Sequence, residues 1–402
     1  MPGIDRRNFV LGAGSAALLG RRASAAPLDP GLPAGTRDEA VLEALPGKQP
    51  LIKLSWRPPN YETPRDAFRT LVTPTDRFFV RYHLANVPDE AALAGWSLTV
   101  GGEQAAREVT LSLDDLKALP TVEIMAVCQC SGNRRGLVTP HVPGVQWGVG
   151  AMGNAVWRGV RLRDVLAKAG VRAGAVEVAF RGADGPVLDV TPPFRKSLPL
   201  DRAMDDTVLL AWAMNGDKLP IWNGWPLKLV VPGWTGTYWM KHLVRIDVLG
   251  KPLDNFWMQK AYRVPRGMFP VERPFVSQEN DKTVPITEIV VNALITEPDD
   301  GAQVPAGGFA VRGIAWDGGH GIARVDVSTD GGTTWAAAAL GQDAGRFAFR
   351  PWSFAVGPLP AGNVSVLARA ASANGAVQPA KLVFNPAGYH HNVMPSLTLQ
   401  AV

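Results

Sequence analysis

Val127-Cys128-Gln129-Cys130-Ser131-Gly132-Asn133-Arg134-Arg135 holds both cysteines of the 402-residue chain, beside two adjacent arginines, where an apolar run that reads as a strand enters a glycine-containing turn. A thiol near guanidinium groups has a lowered pKa and, as thiolate, is both a nucleophile and a soft metal ligand. Such a ligand suits molybdenum or copper better than magnesium. A buried cysteine with two arginines in surface ion pairs fits the same pattern, and the segment taken alone leaves both readings open. A disulfide between the two is disfavoured: on a strand their Cα atoms would stand roughly 6.6 Å apart on one face, at the far limit for bridging.

Outward from this segment, residues 51–283 alternate strand-like runs (78–80, 122–127, 176–180 and 227–231) with short helical stretches (113–119 and 163–168). That mixture predicts an α+β domain. From residue 284 the texture changes to strand-like segments at short intervals (289–294, 309–315, 323–328, 335–338, 346–351 and 364–371), with the turn Asp330-Gly331-Gly332 between two of them. This predicts a small immunoglobulin-like β-sandwich over 284–402. Two folded units are also what the chain length calls for. Residues 26–50, rich in Pro, Gly and Ala and without sustained periodicity, read as an extended arm wrapped on the body.

The formal charge of +5 is concentrated at one end. Arg6, Arg7, Arg21 and Arg22 against Asp5 place +3 in residues 1–25 and leave +2 for the rest, which removes the support for a nucleic-acid partner. Asp5-Arg6-Arg7-Asn8-Phe9-Val10-Leu11, a small and apolar stretch to Leu19, and Ala23-Ser24-Ala25 together read as a twin-arginine export signal with an A-x-A cleavage site. The expected location is the periplasm. A folded amphipathic helix would need polar residues at helical spacing, which residues 9–19 lack. Since that route usually carries proteins already folded around an inserted cofactor, a cofactor is expected. No run of 18 apolar residues suggests a membrane span.

Cys130-Ser131-Gly132-Asn133-Arg134-Arg135 closely resembles the C-A-G-N-R-R segment of sulfite oxidases and plant nitrate reductases, with Ser131 in place of alanine. Further resemblances to that family follow in order: Phe78-Phe79-Val80-Arg81-Tyr82-His83-Leu84, Trp147-Gly148-Val149-Gly150-Ala151-Met152-Gly153-Asn154-Ala155, Ala211-Trp212-Ala213-Met214-Asn215-Gly216 and Val230-Val231-Pro232-Gly233. Val325-Asp326-Val327-Ser328-Thr329-Asp330-Gly331-Gly332-Thr333-Thr334-Trp335 resembles the family's dimerisation domain, so the likeness covers nearly all of the mature chain. It implies a molybdopterin-binding α+β domain followed by an immunoglobulin-like dimerisation domain.

The resemblance also implies roles. Cys130 is the molybdenum ligand. Arg81, Arg135 and Tyr262 form the oxyanion pocket with Trp147 as an aromatic wall, and rigid donor forks suit a tetrahedral oxyanion. Phe79, Arg81 and His83 lie on the pterin side, His83 two residues after Arg81 and so on the same strand face. Asp184, Asn223, Lys228 and the Trp239-Met240-Lys241 turn contact the pterin and its phosphate. The chain departs from the animal enzymes at three of these places: Asn223 stands for histidine, Lys228 for arginine, and Ala387 in Phe384-Asn385-Pro386-Ala387-Gly388-Tyr389 for a third pocket arginine.

The implied reaction is the oxidation of sulfite to sulfate, as in a sulfite dehydrogenase. The chain has no Cys-x-x-Cys-His haem motif and no segment resembling a fused b-type cytochrome module, so the expected partner is a separate acceptor, a cytochrome c, bound by a homodimer or a hetero-complex with a cytochrome subunit. The alternatives are the same cofactor reducing nitrate or an S-oxide, and a cofactor-free secreted binding protein. His390 and His391 are read as unsuited to metal because adjacent side chains on an exposed tail diverge. The 13 tryptophans are read as packing.

Overall fold

The computed structural model describes residues 25–26 and 40–402. The export signal, apart from Ala25, and residues 27–39 of the expected arm lie outside these residues. The arm ends earlier than its composition suggested. Ala40–Glu43 is already a strand, paired with Leu51–Ser55 in a sheet that continues through Asn60–Glu62 to Val80–Arg81, and Leu45 and Lys48 are buried between them. Tyr61, Val80 and Tyr82 supply the apolar cluster that holds this end down.

Two further sheets build the catalytic-side domain. One is ordered Arg195–Pro199, Glu177–Gly182, Leu243–Leu249, Leu98–Gly101, Val109–Leu111, with a single parallel pair in its middle. The other is ordered Asp217–Lys218, Leu209–Met214, Met152–Arg161, Thr121–Gln129, with Lys228–Val230 paired to Leu209–Met214. Thr121–Gln129 begins half-exposed and ends fully buried, so its last residues enter the core with the two cysteines. The short helices are set by local chemistry. Ser112 and Asp115 form a reciprocal capping box before Leu113–Lys117. Leu162–Ala169 buries Leu162, Val165, Leu166 and Ala169, one face at helical spacing, and Gly170 stops it with a left-handed φ of 72°. The mixed sheets and short helices make this an α+β fold.

The second unit is a sandwich of two sheets, Asn292–Glu297, Phe309–Trp316, Arg350–Val356, Ala339–Leu340 against Gln303–Val304, Ser396–Ala401, Gly362–Ser372, Ile322–Ser328, Ala336–Ala337. Alternating side chains of Gly362–Ser372 fill its core. Two expected strands moved. Ile289 and the apolar residues 347–349 dock on the first domain: Ile289, Trp316 and Phe349 pack with Phe68, Val127, Val149 and Met152, and Val127 N donates to Phe347 O at 2.9 Å. The closing strand Ser396–Ala401 carries an alternating pattern too short to stand out in the sequence. Between it and Gly362–Ser372, residues 379–395 leave the sandwich and return to the cysteine segment.

Candidate active site

Cys130 is the first residue after Thr121–Gln129, and its N–H bonds Ala151 O at 2.9 Å. The following turn is pinned from several sides. Asn133 N donates to Cys130 O at 3.0 Å and Arg134 N to Gly148 O at 2.8 Å, Asn133 Oδ1 accepts from Ala151 N at 3.0 Å, and the buried Glu62 carboxylate accepts from Gly148 N and Gly150 N at 2.8 and 2.7 Å. Arg134 sits in the left-handed region, φ 67°, which sends the two consecutive arginines apart. Arg134 runs to the sandwich, donating to Ala293 O at 2.6 Å and Val393 O at 3.3 Å beside Trp316. Its role is structural.

Arg135 instead lies in a slot cut by glycines. A Cβ at Gly132 or Gly144 would stand 2.6 or 2.7 Å from its guanidinium, and one at Gly388 2.9 Å from its Cγ. Its Nε donates to Ala387 O at 2.8 Å and its Nη1 to Val145 O at 3.2 Å, and its Cζ is 5.2 Å over the Tyr389 ring. Arg81, from the sheet edge Val80–Arg81, faces the Cys130 sulfur and the Tyr262 hydroxyl, with Nη2 to Tyr262 Oη at 3.3 Å. Tyr262 Oη is also hydrogen-bonded to His83 Nε2. His83 stacks on Phe194 at 3.7 Å. The structure therefore brings Arg81, His83, Cys130, Arg135 and Tyr262 to one place.

Burial, then the charges of Arg81, Lys241 and Lys196, hold His83 well below the ordinary imidazole range, so it is neutral at neutral pH. Burial raises the Tyr262 phenol against the opposing pull of Arg81, so it keeps its proton. Trp147 is fully enclosed, pairing along the turn through Gly136 N to Trp147 O at 2.8 Å.

Beyond Arg81 lies a row of buried lysines. Lys241 Nζ donates to Arg81 O at 2.6 Å over the Tyr82 ring; burial lowers it to about 8, with Asp184 opposing. Lys228 has its ammonium 4.7 Å from the Trp157 ring and 5.6 Å from Trp239, and burial lowers it too. Lys48, from the arm, donates to Thr75 O, Phe78 O and Asn223 Oδ1 at 2.6, 3.2 and 2.6 Å; burial lowers it to about 7, with Asp76 opposing and Lys228 adding to the shift. Asn223 Nδ2 donates to Phe79 O at 3.1 Å, so both ends of its amide are engaged with protein. Trp239 and Met240 are buried in the turn before Lys241, Trp239 through Nε1 to Trp234 O at 3.0 Å.

Sequence reasoning missed Lys48, Lys196 and Tyr389. Lys48 gave no signal because its neighbours lack periodicity. Lys196 was in phase with the buried Phe194 and Leu198 on a strand, a mark of a buried charge. It is 1% exposed, donates to Trp257 O at 2.9 Å and lies 4.7 and 5.4 Å from the rings of Tyr238 and Tyr262. The tail is not exposed as expected. His390 and His391 are buried, His390 N donating to Ser131 O at 3.3 Å, because the segment closes over the cysteine turn.

These residues fit a molybdenum–pterin phosphate group. Both cysteines are free thiols, and among the described residues no group of three or more His, Cys, Asp or Glu could cage a metal, so a metal held by Cys130 would need further ligands from a cofactor. Lys228, buried, and Lys241, half-buried, are ammonium groups facing few carboxylates and suit a phosphate, while Lys48 spends its donors on Thr75 O, Phe78 O and Asn223 Oδ1. Ser131 Oγ, Trp147 Nε1 and Thr235 Oγ1 are buried without a hydrogen-bond partner among the described residues.

Residues 84–257 match the oxidoreductase molybdopterin binding domain and residues 283–400 the Mo-co oxidoreductase dimerisation domain. Sulfite oxidase of Arabidopsis thaliana is 35% identical over 330 residues, covering 78% of this chain and 81% of that protein. The chain belongs to the sulfite oxidase family. Mitochondrial sulfite oxidase of Homo sapiens is 37% identical over 351 residues, 83% of this chain, and the chain spans 62% of that protein's length. The solved structure of the sulfane dehydrogenase SoxCD from Paracoccus pantotrophus superimposes with a TM-score of 0.72 at 26% identity, covering 86% of this chain and 85% of that one. Family membership assigns the sandwich as the dimerisation domain and the first unit as the molybdopterin-binding domain. No helix of the described residues is long and apolar enough to cross a membrane.

Proposed function

We propose that the chain is a molybdenum-dependent sulfite dehydrogenase, exported to the periplasm by the twin-arginine route, that oxidises sulfite to sulfate and passes the electrons to a separate cytochrome c. The convergence of Arg81, Arg135, Tyr262 and neutral His83 around Cys130 carries the reading. When bound, the molybdenum cofactor supplies the oxygen-transfer and two-electron chemistry, with Cys130 as its protein ligand. Arg81 and Arg135 bind the oxyanion and fix its orientation. Tyr262, protonated, donates toward an anion oxygen, and the neutral His83 holds its hydroxyl in place without adding charge. Burial keeps bulk water out, which strengthens these fixed dipoles. Lys228 and Lys241 supply positive charge for the pterin phosphate, and Lys48 fixes the Asn223 amide. Val187, Leu188, Val190 and Phe256 are exposed on the segments carrying Phe194 and Trp257, an apolar rim suited to a docking electron acceptor.

The test is molybdenum content together with sulfite-dependent reduction of ferricyanide and cytochrome c, for wild type and Cys130→Ser. Stoichiometric molybdenum, reduction of both acceptors and a metal-free, inactive variant are expected. Molybdenum without any sulfite turnover would overturn the substrate assignment. A second reading, a sulfane-sulfur substrate, is favoured by the likeness to the solved sulfane dehydrogenase, and is separated by offering thiosulfate as substrate in the same assay.

A further inference from the structure

The returning C-terminal segment delivers a side chain to the anion pocket that no motif marks. Tyr389 stacks on Tyr262, ring centroids 5.7 Å apart and 12° from parallel, and its ring lies under the Arg135 guanidinium. Arg81, Arg135, Tyr262 and Cys130 all act electrostatically on its phenol. Its hydroxyl makes no hydrogen bond to any described residue. The backbone carrying it is fixed: Asn385 accepts from Tyr389 N at 3.0 Å and donates to Tyr389 O at 2.8 Å, Gly388 adopts a φ of 60° against Arg135 and Val142, and the turn is tied to the Cys130 loop through Ala387 O and His390 N. An aromatic held this firmly, with its polar end unused and two guanidinium groups around it, is aimed at whatever those groups bind.

We propose that Tyr389 is a substrate-contacting specificity residue whose phenol donates to the anion held by Arg81 and Arg135, and that this uncharged donor, beside Ala387, leaves the pocket less selective for dianions over monoanions than a third cation there would. The charge argument is elementary. Coulombic attraction is linear in the ligand's charge, so a pocket with one cation fewer loses twice as much for a dianion as for a monoanion, while a phenol still supplies a donor to either. The inference rests on the oxyanion-binding reading above.

The experiment is equilibrium binding of sulfate and of methanesulfonate to the molybdenum-loaded protein, read by tryptophan fluorescence, alongside sulfite kinetics with ferricyanide, for wild type, Tyr389→Phe and Tyr389→Arg. Wild type should bind both anions. Tyr389→Phe keeps the ring and the packing but loses the donor, and should weaken both anions, and raise KM with kcat retained, by about tenfold, as for a hydrogen bond to a charged group. Tyr389→Arg should raise the preference for sulfate over methanesulfonate by about tenfold or more relative to wild type. Unchanged dissociation constants in Tyr389→Phe, with melting temperature and metal content also unchanged, would overturn the proposal, as would Tyr389→Arg without a change of preference. Anion binding that responds as stated in a protein that oxidises no sulfur oxyanion would instead leave Tyr389 in place and remove the function.

Discussion

Replacing Gly132 with alanine should disable Arg135 at a distance from any substrate contact. The added Cβ would stand 2.6 Å from Cζ, Nη1 and Nη2 of Arg135, whereas unstrained heavy-atom contact begins near ~3.5 Å, so the guanidinium must retreat by about 1 Å. Gly132 is outside the left-handed region, and the obstructing group is the end of a flexible side chain, so the fold should survive. The stability cost is bounded by the hydrogen bonds to Ala387 O and Val145 O, about 1–3 kcal/mol together. The functional cost is larger in proportion: misplacing an anion-orienting fork by about 1 Å costs roughly 100-fold in kcat/KM, or about 2.7 kcal/mol of transition-state stabilisation. Steady-state sulfite oxidation with ferricyanide at matched molybdenum content, with a thermal melt as control, reads both terms. A kcat/KM within twofold of wild type would refute the reasoning, since either Arg135 does not hold the substrate or its slot is loose.

Three other outcomes follow from the same contacts. Arg134→Met should lower unfolding stability by about 2–4 kcal/mol in denaturant melts, because it strips the donors from Ala293 O and Val393 O at the domain junction, while the protein that remains folded keeps its KM. Lys48 and Lys241 have folded pKa values of about 7 and 8 against an ordinary 10.5, so the folded state binds fewer protons than the unfolded one between these limits. Cofactor-free protein should therefore gain stability as pH rises from 7 to 9.5 and lose it as pH falls through that window, and calorimetry should show cofactor stabilising most at the lower end. Lys196→Met should move the His83 titration upward, as followed by NMR, since one of the cations that disfavour imidazolium is gone; no movement would mean that burial, Arg81 and Lys241 set it without Lys196.

The cysteine turn was legible because its chemistry is local. A strand entering Cys130, a glycine where only a glycine clears Arg135, and two arginines in sequence all lie within six residues. The α+β pattern and the later run of strands were legible for the same reason, each being a matter of hydrophobic period within a short window. Which of two adjacent arginines faces the pocket came from the family resemblance, which pointed to Arg135, and not from the local pattern. In the fold it depends on a left-handed φ at Arg134, held by Gly148 O, and on two glycines, Gly144 and Gly388, that are remote in sequence from the turn.

By itself, then, the sequence determined the two-domain order and, through the family resemblance, pointed to Cys130 and to the residue types around it. Only the tertiary structure decided that Tyr389 stacks on Tyr262 and that His390 and His391 are buried, that residues 347–349 are a docking edge and not a strand, and that Lys48 and Lys196 are buried beside the pocket residues. The reason is that charge placement and pocket closure are set by contacts between distant segments: Lys48 with Asn223, 175 residues away, and Arg135 with Ala387, 252 residues away. Local periodicity carries no record of either.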